Sequence, residues 1–554
     1  MKDPARWAVL AALLVGRAPA AAQTALPLKH APQSTTAAIT PADLMTRLYI
    51  YADDSMMGRR GGTEWNLKAT AYIASEVKRM GLVPMGDSGT YFQWVPLVNL
   101  EFDTASTIAV GAVTLKAGQD FIVRPTRAAL RSISGAQAVY AGVLGDSNML
   151  APEQAAGRVV VVSLPPGGGG GGIVGRYRGA GGIAVVSLDR MAPGPRAFFR
   201  GPATVLKTST ERADTTTQPL VLQVSVAAAR ALLGMAPDSA KPGALGAILQ
   251  GTVRFIETPA PARNVVAVVP GSDAGLKGEY VAIGAHNDHI GFTHTPVDHD
   301  SLRAFNTARL RLTESLPAGR RLTPELLAGI HVNVDSLHRL HPARADSIDN
   351  GADDDGSGTV SALEIAEQFA AARQRPKRSI LFVWHTGEEL GLLGSRWFTD
   401  HPTVPRDSIV AQLNMDMVGR GDTTDLKGGG PDYLQLVGSG RLSTELGDLV
   451  ESVNKAEPHP LALDYAFDAP GHPERIYCRS DHYMYARYGI PITFFTTGLH
   501  ADYHQVTDEP QYIDYEHMAR VDQLVYDVAV QVANLGHRLV VDKPKPDPTA
   551  PCVQ

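Results

Sequence analysis

Histidine and carboxylate residues stand directly after apolar runs at five places in the sequence. In an open α/β sheet, ligands bind at the carboxyl ends of the strands, so residues at these positions can meet. Imidazole nitrogens and carboxylate oxygens together suit zinc, with cobalt or manganese as substitutes. The sequence therefore predicts a metal site formed by His286-Asn-Asp288-His289, Asp353-Asp354-Asp355, Glu388-Glu389, Asp416 and His500-Ala-Asp502-Tyr-His504.

Each of these clusters has an ordinary explanation when it is taken alone. A histidine at a strand end, such as His286, is usually a surface or capping residue, and Glu388-Glu389 fits a solvated pair. Three consecutive aspartates are harder to explain, because a helix N-terminus accounts for one or two acidic residues and the rest repel one another without a cation. Asp416 closes an apolar run, where a carboxylate is costly to bury unless it is paired or metal-bound.

An α/β pattern after about residue 260 supplies the elements that would position these clusters. Apolar runs alternate with helical stretches, which is typical of a mainly parallel sheet with helices on both faces. Residues 42–82 also follow helical spacing, with Gly81 as a stop signal. The predicted strands are 264–269, 280–285, 379–384, 410–415 and 492–496, and the predicted helices are 359–371, 444–454 and 515–532.

Three other segments differ from this pattern. Residues 101–255 consist of short apolar runs separated by Gly and Pro, which predicts a mainly β inserted domain. Its glycine run at 167–172 lacks a following Gly-Lys-Ser/Thr, so we interpret it as a flexible loop and not as a phosphate loop. Residues 292–346 are an insertion between two histidine or carboxylate clusters, and 536–554 form an extended or disordered tail.

Composition limits the remaining possibilities. A chain of 554 residues exceeds one hydrophobic core, which predicts two or more domains. A net charge of -6 excludes the basic excess of a nucleic-acid binder. Residues 1–22 carry a basic start, a short apolar run and a small-residue cleavage pattern, which predict a signal peptide, a secreted or periplasmic protein and no membrane anchor after cleavage. The two cysteines, Cys478 and Cys552, leave their pairing open.

The ordered motifs resemble those of a known family. His286-x-Asp288, Gly351-Ala-Asp-Asp-Asp355, Glu388-Glu389, Asn414-Met-Asp416 and Tyr503-His504 occur in the order seen in the co-catalytic di-zinc aminopeptidases of the bacterial leucyl-aminopeptidase type, which are related to glutamate carboxypeptidase and glutaminyl cyclase. The resemblance covers 256–535 and extends to 40–100. It implies the zinc exopeptidase fold, with residues 101–255 as an inserted protease-associated domain.

The resemblance also implies a role for each motif residue and two zinc ions per chain. Asp354 would bridge both ions, His286 and Asp416 would complete one site, and Glu389 and His504 would complete the other. Asp288 would orient the His286 ring, and Glu388 would act as the general base on a water between the metals. Roles beside the ligands or on the surface are expected for the other nearby histidines, which are His289, His294, His299, His385, His482 and His500.

Several functions remain open on this scaffold. The leading hypothesis is an aminopeptidase that hydrolyses the N-terminal bond of peptide substrates. A carboxypeptidase would need an arginine to bind the substrate carboxylate; Arg420 is a candidate, although a structural ion pair explains it equally well. A metal-binding but inactive module and a single-zinc glutaminyl cyclase also fit the scaffold. The sequence has no His-Glu-x-x-His and no Gly-x-Ser-x-Gly motif, which argues against thermolysin-like enzymes and α/β-hydrolases.

Overall fold

A computed structural model describes residues 26–125, 130–165, 170–192, 196, 199, 201–207, 219–317 and 322–554. The predicted signal peptide and the first half of the glycine run lie outside these residues. The structure contains two large sheets and one separate two-stranded sheet. Their strands are β1 (Val83–Pro84), β2 (Phe92–Phe102), β3 (Thr107–Val110), β4 (Val113–Lys116), β5 (Phe121–Val123), β6 (Leu130–Val143), β7 (Val159–Ser163), β8 (Gly182–Val186), β9 (Ala203–Leu206), β10 (Leu220–Val224), β11 (Leu245–Val269), β12 (Tyr280–His286), β13 (Gly291–Asp298), β14 (Ala345–Asp349), β15 (Ser379–His385), β16 (Ile409–Met415), β17 (Tyr433–Val437), β18 (Ala462–Asp464) and β19 (Ile492–Thr496). The separate two-stranded sheet is formed by β13 and β14.

The first sheet has the order β9, β2, β11, β15, β12, β16, β19, β17, β18, and the short strand β1 pairs with the end of β11. Its centre, from β15 to β19, is parallel, whereas β11 and β17 run antiparallel to their inner neighbours. The register pairs Tyr280 with Ser379 and His286 with His385, so these two strands end side by side. All five predicted strands are present, and the predicted α/β class is confirmed.

Helices cover both faces of this sheet. The central strands are apolar on both sides because alternate residues, such as Leu381 and Phe382, pack into cores on opposite faces. The helices are α1 (Pro41–Tyr51), α2 (Glu64–Arg79), α3 (Ile173–Arg176), α4 (Val226–Leu233), α5 (His299–Ser315), α6 (Pro324–Ala328), α7 (Val334–Leu340), α8 (Gly358–Ala371), α9 (Leu393–Asp400), α10 (Thr444–Ala456), α11 (His482–Ala486) and α12 (Tyr515–Asn534). None of the helices in the described part of the chain is long and apolar enough for a bilayer span.

The prediction of one helical stretch over 42–82 is wrong in its middle. The chain leaves the helix after α1 and re-enters it at α2. Between them Gly58 has φ +62, and a Cβ at this position would lie 2.0 Å from the carbonyl oxygen of Gly291. The chain must therefore turn here to pass close to another backbone segment, which the helical spacing of side chains does not reveal.

The inserted region forms the second sheet, with the order β4, β3, β11, β6, β7, β8, β10, β5. Strand β11 belongs to both sheets: it pairs with β6 up to Arg254 and with β2 from Phe255 onward. The second sheet has a core of its own. Residues 101–255 are therefore mainly β, with α3 and α4 as their regular α-helices among the described residues.

The 292–346 insertion and the tail are both ordered by contacts with the first sheet's loops. Strands β13 and β14 pair antiparallel and carry α5, α6 and α7 between them. The tail has no helix or strand beyond α12, but Cys552 forms a disulfide with Cys478 and the Gln554 side chain accepts the backbone N–H of Tyr477 at 3.0 Å. The tail is thus extended and anchored, in agreement with the first of the two predicted alternatives.

Candidate metal centre

The strand ends bring the five predicted ligands together. Asp354 lies between two histidines: its Oδ1 is 3.1 Å from His286 Nε2, and its Oδ2 is 3.0 Å from His504 Nε2. Glu389 Oε2 is also 3.0 Å from His504 Nε2, and Asp416 Oδ1 is 3.6 Å from His286 Nε2. The site therefore has two halves that share the Asp354 carboxylate.

The three consecutive aspartates have three different sets of partners. Asp353 accepts the backbone N–H of Gly419 at 2.7 Å and lies 3.2 Å from His500 Nε2. Asp355 accepts the backbone N–H groups of His286 at 2.9 Å and Gly358 at 2.8 Å. Backbone N–H groups therefore stabilise Asp353 and Asp355, which weakens the argument from mutual repulsion, and Asp354 is the member of the run that lies between His286 and His504.

The adjacent glutamates also point to different partners. Glu389 bonds His289 Nδ1 through Oε1 at 2.8 Å and approaches His504 through Oε2. Glu388 Oε2 stays 4.0 Å from His286 Nε2 and lines the open cavity beside the site. Glu389 thus faces His289 and His504, whereas Glu388 faces a solvent-connected cavity.

Asp288 holds its neighbours in a different way from the prediction. The carboxylate was expected to accept the Nδ1–H of His286, but its Oδ1 is 3.8 Å away. The backbone carbonyl of Asp288 lies 3.0 Å from that nitrogen instead. The carboxylate accepts the backbone N–H of Glu388 at 3.1 Å and so connects the loop after β12 to the loop after β15.

His289 is the site residue that the sequence reasoning undervalued. Its side chain is fully buried, its Nδ1 bonds Glu389, and its ring meets the His504 ring edge to face with centroids 5.6 Å apart. His289 therefore lies beside the predicted ligand Glu389, which is one of the two positions expected for it from the sequence. Among the described residues, the groupings able to hold a cation here are His286 with Asp355 and Asp416, and His289 with Asp354 and Glu389.

The donor atoms of this site fit zinc. The Nε2 atoms of His286, His289 and His504, and Asp354 Oδ2, are buried without a hydrogen-bond partner. A buried polar atom without a partner costs about 1–3 kcal/mol, so several of them facing one another indicate a missing cation. His504 also has φ +55, an unfavourable backbone conformation that is concentrated at functional sites. Nitrogen and carboxylate donors are the zinc ligand set.

The two glutamates differ in proton affinity. Burial raises the pKa of Glu388 well above its usual range. Burial acts in the same direction on Glu389, but hydrogen bonds with His289 and His504 outweigh it and lower the pKa of Glu389. Burial lowers the pKa of His504, yet hydrogen bonds with Asp354 and Glu389 raise it to about 10. Glu388 is therefore the stronger base of the pair.

The lining of the cavity beside the site consists of an apolar wall, several polar residues and one basic side chain, that of Arg479. Arg479, at its rim, donates to the hydroxyl of Tyr503 at 3.1 Å and pairs with Glu474 at 3.1 Å. The apolar wall is formed by Met417, Phe467, Ile476, Phe494 and Leu499.

Arg420, the predicted carboxylate-binding candidate, is buried away from this cavity lining. Its guanidinium pairs with Asp425 at 2.5 Å and with Asp502 at 3.2 Å. The structural ion pair is therefore the correct interpretation of Arg420.

The other histidines near the motifs lie outside this group of ligands. His385 bonds the hydroxyl of Tyr485 at 2.9 Å, and His482 Nε2 lies 2.8 Å from the carbonyl oxygen of Tyr477. His500 faces Asp353, one residue before the shared carboxylate. His294 is exposed and His299 is buried in the insertion.

Fold and site together define an α/β protein with a candidate zinc site at the ends of its parallel strands. Residues 264–529 match the family described as Peptidase family M28. This segment is therefore similar to that family, in agreement with the resemblance carried by the five motifs.

Curated relatives are aminopeptidases. Leucine aminopeptidase 1 of Aspergillus fumigatus is 28% identical over 194 residues, which are 33% of this chain and 47% of the relative. Leucine aminopeptidase 1 of Paracoccidioides brasiliensis (strain Pb18) is 30% identical over 192 residues, which are 33% of this chain and 46% of the relative. The chain thus spans about half the length of the curated relatives it matches.

Similar solved structures cover nearly the whole chain at low identity. The aminopeptidase from Aneurinibacillus sp. strain AM-1 has a TM-score of 0.49 and 16% identity, over 92% of this chain and 97% of that one. The zinc aminopeptidase BSAP from Bacillus subtilis has a TM-score of 0.45 and 17% identity, over 90% and 96%.

Proposed function

We propose that this protein is a di-zinc aminopeptidase that removes N-terminal residues from peptides. The observation that carries the proposal is the Asp354 carboxylate between His286 and His504, with unpartnered donor atoms on all three side chains. His286 and Asp416 would hold one ion, and Glu389 and His504 the other. His289, for which a role beside the ligands or on the surface was expected, would support the second ion through Glu389.

The chemistry assigns different tasks to the adjacent glutamates. Bound zinc would polarise the scissile carbonyl and lower the pKa of water. Glu388 would take the proton from the attacking water and deliver it to the leaving amine, because its carboxylate faces the cavity and has a raised pKa. Glu389 would remain ionised as a ligand. Asp288 would position Glu388 through the backbone N–H that it accepts.

The charge of the site supports attack at the amino end of a peptide. The carboxylates of Asp354, Glu388, Glu389 and Asp416 match the charge of two divalent ions, which leaves no positive excess for a substrate carboxylate. Arg420 is buried in its own ion pairs, and Arg479 is engaged by Glu474 and Tyr503. Because both arginines are already paired, neither is free to bind a C-terminal carboxylate, which favours an aminopeptidase over a carboxypeptidase.

An assay with matched peptides tests this proposal. The zinc-reconstituted protein should cleave a free dipeptide amide, and an N-acetylated copy of that peptide should not be cleaved detectably. A free-acid peptide with a blocked amine is the carboxypeptidase control. Cleavage of the blocked peptide from its carboxyl end would reject the aminopeptidase in favour of a carboxypeptidase, and no cleavage of any peptide would favour an inactive metal-binding module.

The setting of the enzyme is part of the same proposal. The basic and apolar pattern of residues 1–22 predicts export, and the Cys478–Cys552 disulfide is of the kind that persists in oxidising compartments. We place the protein outside the cytoplasm, either secreted or periplasmic, with residues 101–255 as a protease-associated domain. Mass spectrometry of the protein from culture medium and periplasm would test the location through its N-terminal residue.

A further inference from the structure

A second group of histidine and carboxylate side chains lies where the 292–346 insertion meets the loop that follows His504. His299 begins α5, Asp346 lies on β14, and Glu509 lies five residues beyond His504. One ligand atom from each lies within 4.8 Å of the others. His299 and Glu509 are buried, and Asp346 is partly buried. None of these residues belongs to the proposed catalytic site.

The His299 ring is oriented as a metal ligand would be. Its Nδ1 is 2.9 Å from the Oδ1 of Asp300, which accepts a hydrogen bond from the Nδ1–H group. The lone pair of the neutral imidazole then lies on Nε2. This nitrogen is buried, has no hydrogen-bond partner, and points toward Glu509 with an Nε2 to Oε2 distance of 3.8 Å. A carboxylate behind a histidine that faces two further carboxylates is the common arrangement of metal-binding histidines.

The charges around this nitrogen leave room for a divalent cation. Asp300, Asp346 and Glu509 contribute three carboxylates, whereas Arg344 contributes one cation, 2.9 Å from Glu509 Oε2 and 4.0 Å from Asp346 Oδ2. Burial lowers the pKa of His299, so its ring is neutral at pH 7. The group therefore carries about two net negative charges when its carboxylates are ionised. Arg344, Asp346 and Glu509 also line a cavity of about 260 Å³, which gives ions a route to the site.

We propose that His299, Asp346 and Glu509 form an additional binding site for a divalent cation of the zinc class. The nitrogen and two carboxylate donors suit zinc, with manganese or cobalt as substitutes. A bound ion would connect the insertion to the loop that carries His504, because Asp346 and His299 come from the former and Glu509 from the latter. This site is structural and is independent of the proposed peptidase activity.

Metal counting on the full-length protein tests the site. After reconstitution with zinc chloride and gel filtration, His299→Ala and Asp346→Asn should each contain about one zinc ion per chain fewer than the wild type by elemental analysis. His338→Ala is the matched control, because His338 lies in the same insertion and pairs with Asp298 outside the group. Both test variants should cleave peptides at rates within about twofold of the wild type, so this test does not depend on the outcome for the catalytic site.

A substitution of Arg344 supplies a second test, which leaves all three proposed metal-binding side chains in place. Arg344→Met removes the cation that competes for Glu509 and should tighten zinc binding at this site at least about tenfold in a titration of the otherwise zinc-loaded protein. Equal zinc content in the wild type and in folded Asp346→Asn would overturn the proposal. Unchanged or weaker zinc binding in folded Arg344→Met would also overturn it, because the group would then be only an ion-pair network centred on Arg344.

Discussion

Two groups of histidine and carboxylate residues in this protein are built in different ways. The strand-end cluster, comprising His286, His289, Asp354, Glu389, Asp416 and His504, draws its residues mainly from loops after parallel strands. The insertion cluster, comprising His299, Asp346 and Glu509, draws on a helix start, a peripheral strand and a loop. Both contain a buried histidine Nε2 without a hydrogen-bond partner. The first was predictable from the sequence, and the second was not.

The comparison shows what makes a site predictable. Parallel strands end along one edge of a sheet, so residues that follow apolar runs converge whatever the sequence distance between them. No such rule brings the residues of the insertion cluster together. Strand β14 pairs with β13 outside the two large sheets, and His299 comes close to Glu509 through the packing of the insertion against the loop after His504. His299 was accordingly predicted to lie beside the ligands or on the surface.

The largest expected effect separates the two clusters. Asp354→Asn should remove zinc from both halves of the strand-end cluster and lower peptide turnover by more than about 10³-fold, because metal polarisation supplies several kcal/mol of transition-state stabilisation. His286→Ala should primarily weaken one of the two ions. Elemental analysis should still find the ion of the insertion cluster in both variants. Loss of the same single ion in both would contradict the bridging role of Asp354.

The proton linkage of zinc binding should also differ between the clusters. Metal-free His504 has a pKa of about 10, so it is protonated at pH 8.5 and must lose its proton to bind zinc. His299 has a lowered pKa and Glu509 one of about 7, so both have already lost their protons at that pH. Zinc affinity of the strand-end cluster should therefore rise about tenfold per pH unit between pH 7 and 9.

Calorimetry at pH 8.5 in two buffers of different ionisation enthalpy measures this difference. Asp346→Asn, which retains the strand-end cluster, should release about one proton or more per bound ion. Asp354→Asn, which retains the insertion cluster, should release close to none. Equal proton release in the two variants would show that zinc binding at the two clusters does not differ in its proton linkage.

The sequence predicted the parallel core better than its surroundings. Strand β19 has the predicted bounds of 492–496, and β12, β15 and β16 differ from their predictions by one residue. Strands β17 and β18 were missed; β18 is a short strand at the edge of the sheet, and β17 lies between β18 and β19.

Within the site, the sequence brought the right loops together but could not assign every partner. Asp353 and Asp355 bond backbone N–H groups up to 69 residues away in the chain, of Gly419 and His286 respectively. Asp288 uses its carbonyl where a carboxylate contact was predicted. Such choices depend on loop conformation, which residue types and spacing do not specify.

The smallest expected effect concerns the contact between the insertion and the His504 loop. The Arg303 guanidinium lies 3.8 Å from the Tyr512 ring centroid, and its Nε is 3.4 Å from Asp502. Because Arg303 is partly exposed, Arg303→Met should cost no more than about 1 kcal/mol and weaken zinc binding at His504 by less than about fivefold. Arg339→Met, in the same insertion but bonded only to Ser336, is the control. A loss above tenfold would show that the insertion controls the strand-end cluster.

The most direct test of the account compares the adjacent glutamates. Glu388→Gln and Glu389→Gln make the same chemical change one residue apart, so turnover and zinc content measured on both can be compared directly. Glu388→Gln should retain the wild-type zinc content and lose about 10²–10⁴ in turnover, because an amide cannot accept the proton. Glu389→Gln should lose zinc. Near-normal turnover in Glu388→Gln, or zinc loss there with normal zinc content in Glu389→Gln, would contradict the proposed mechanism.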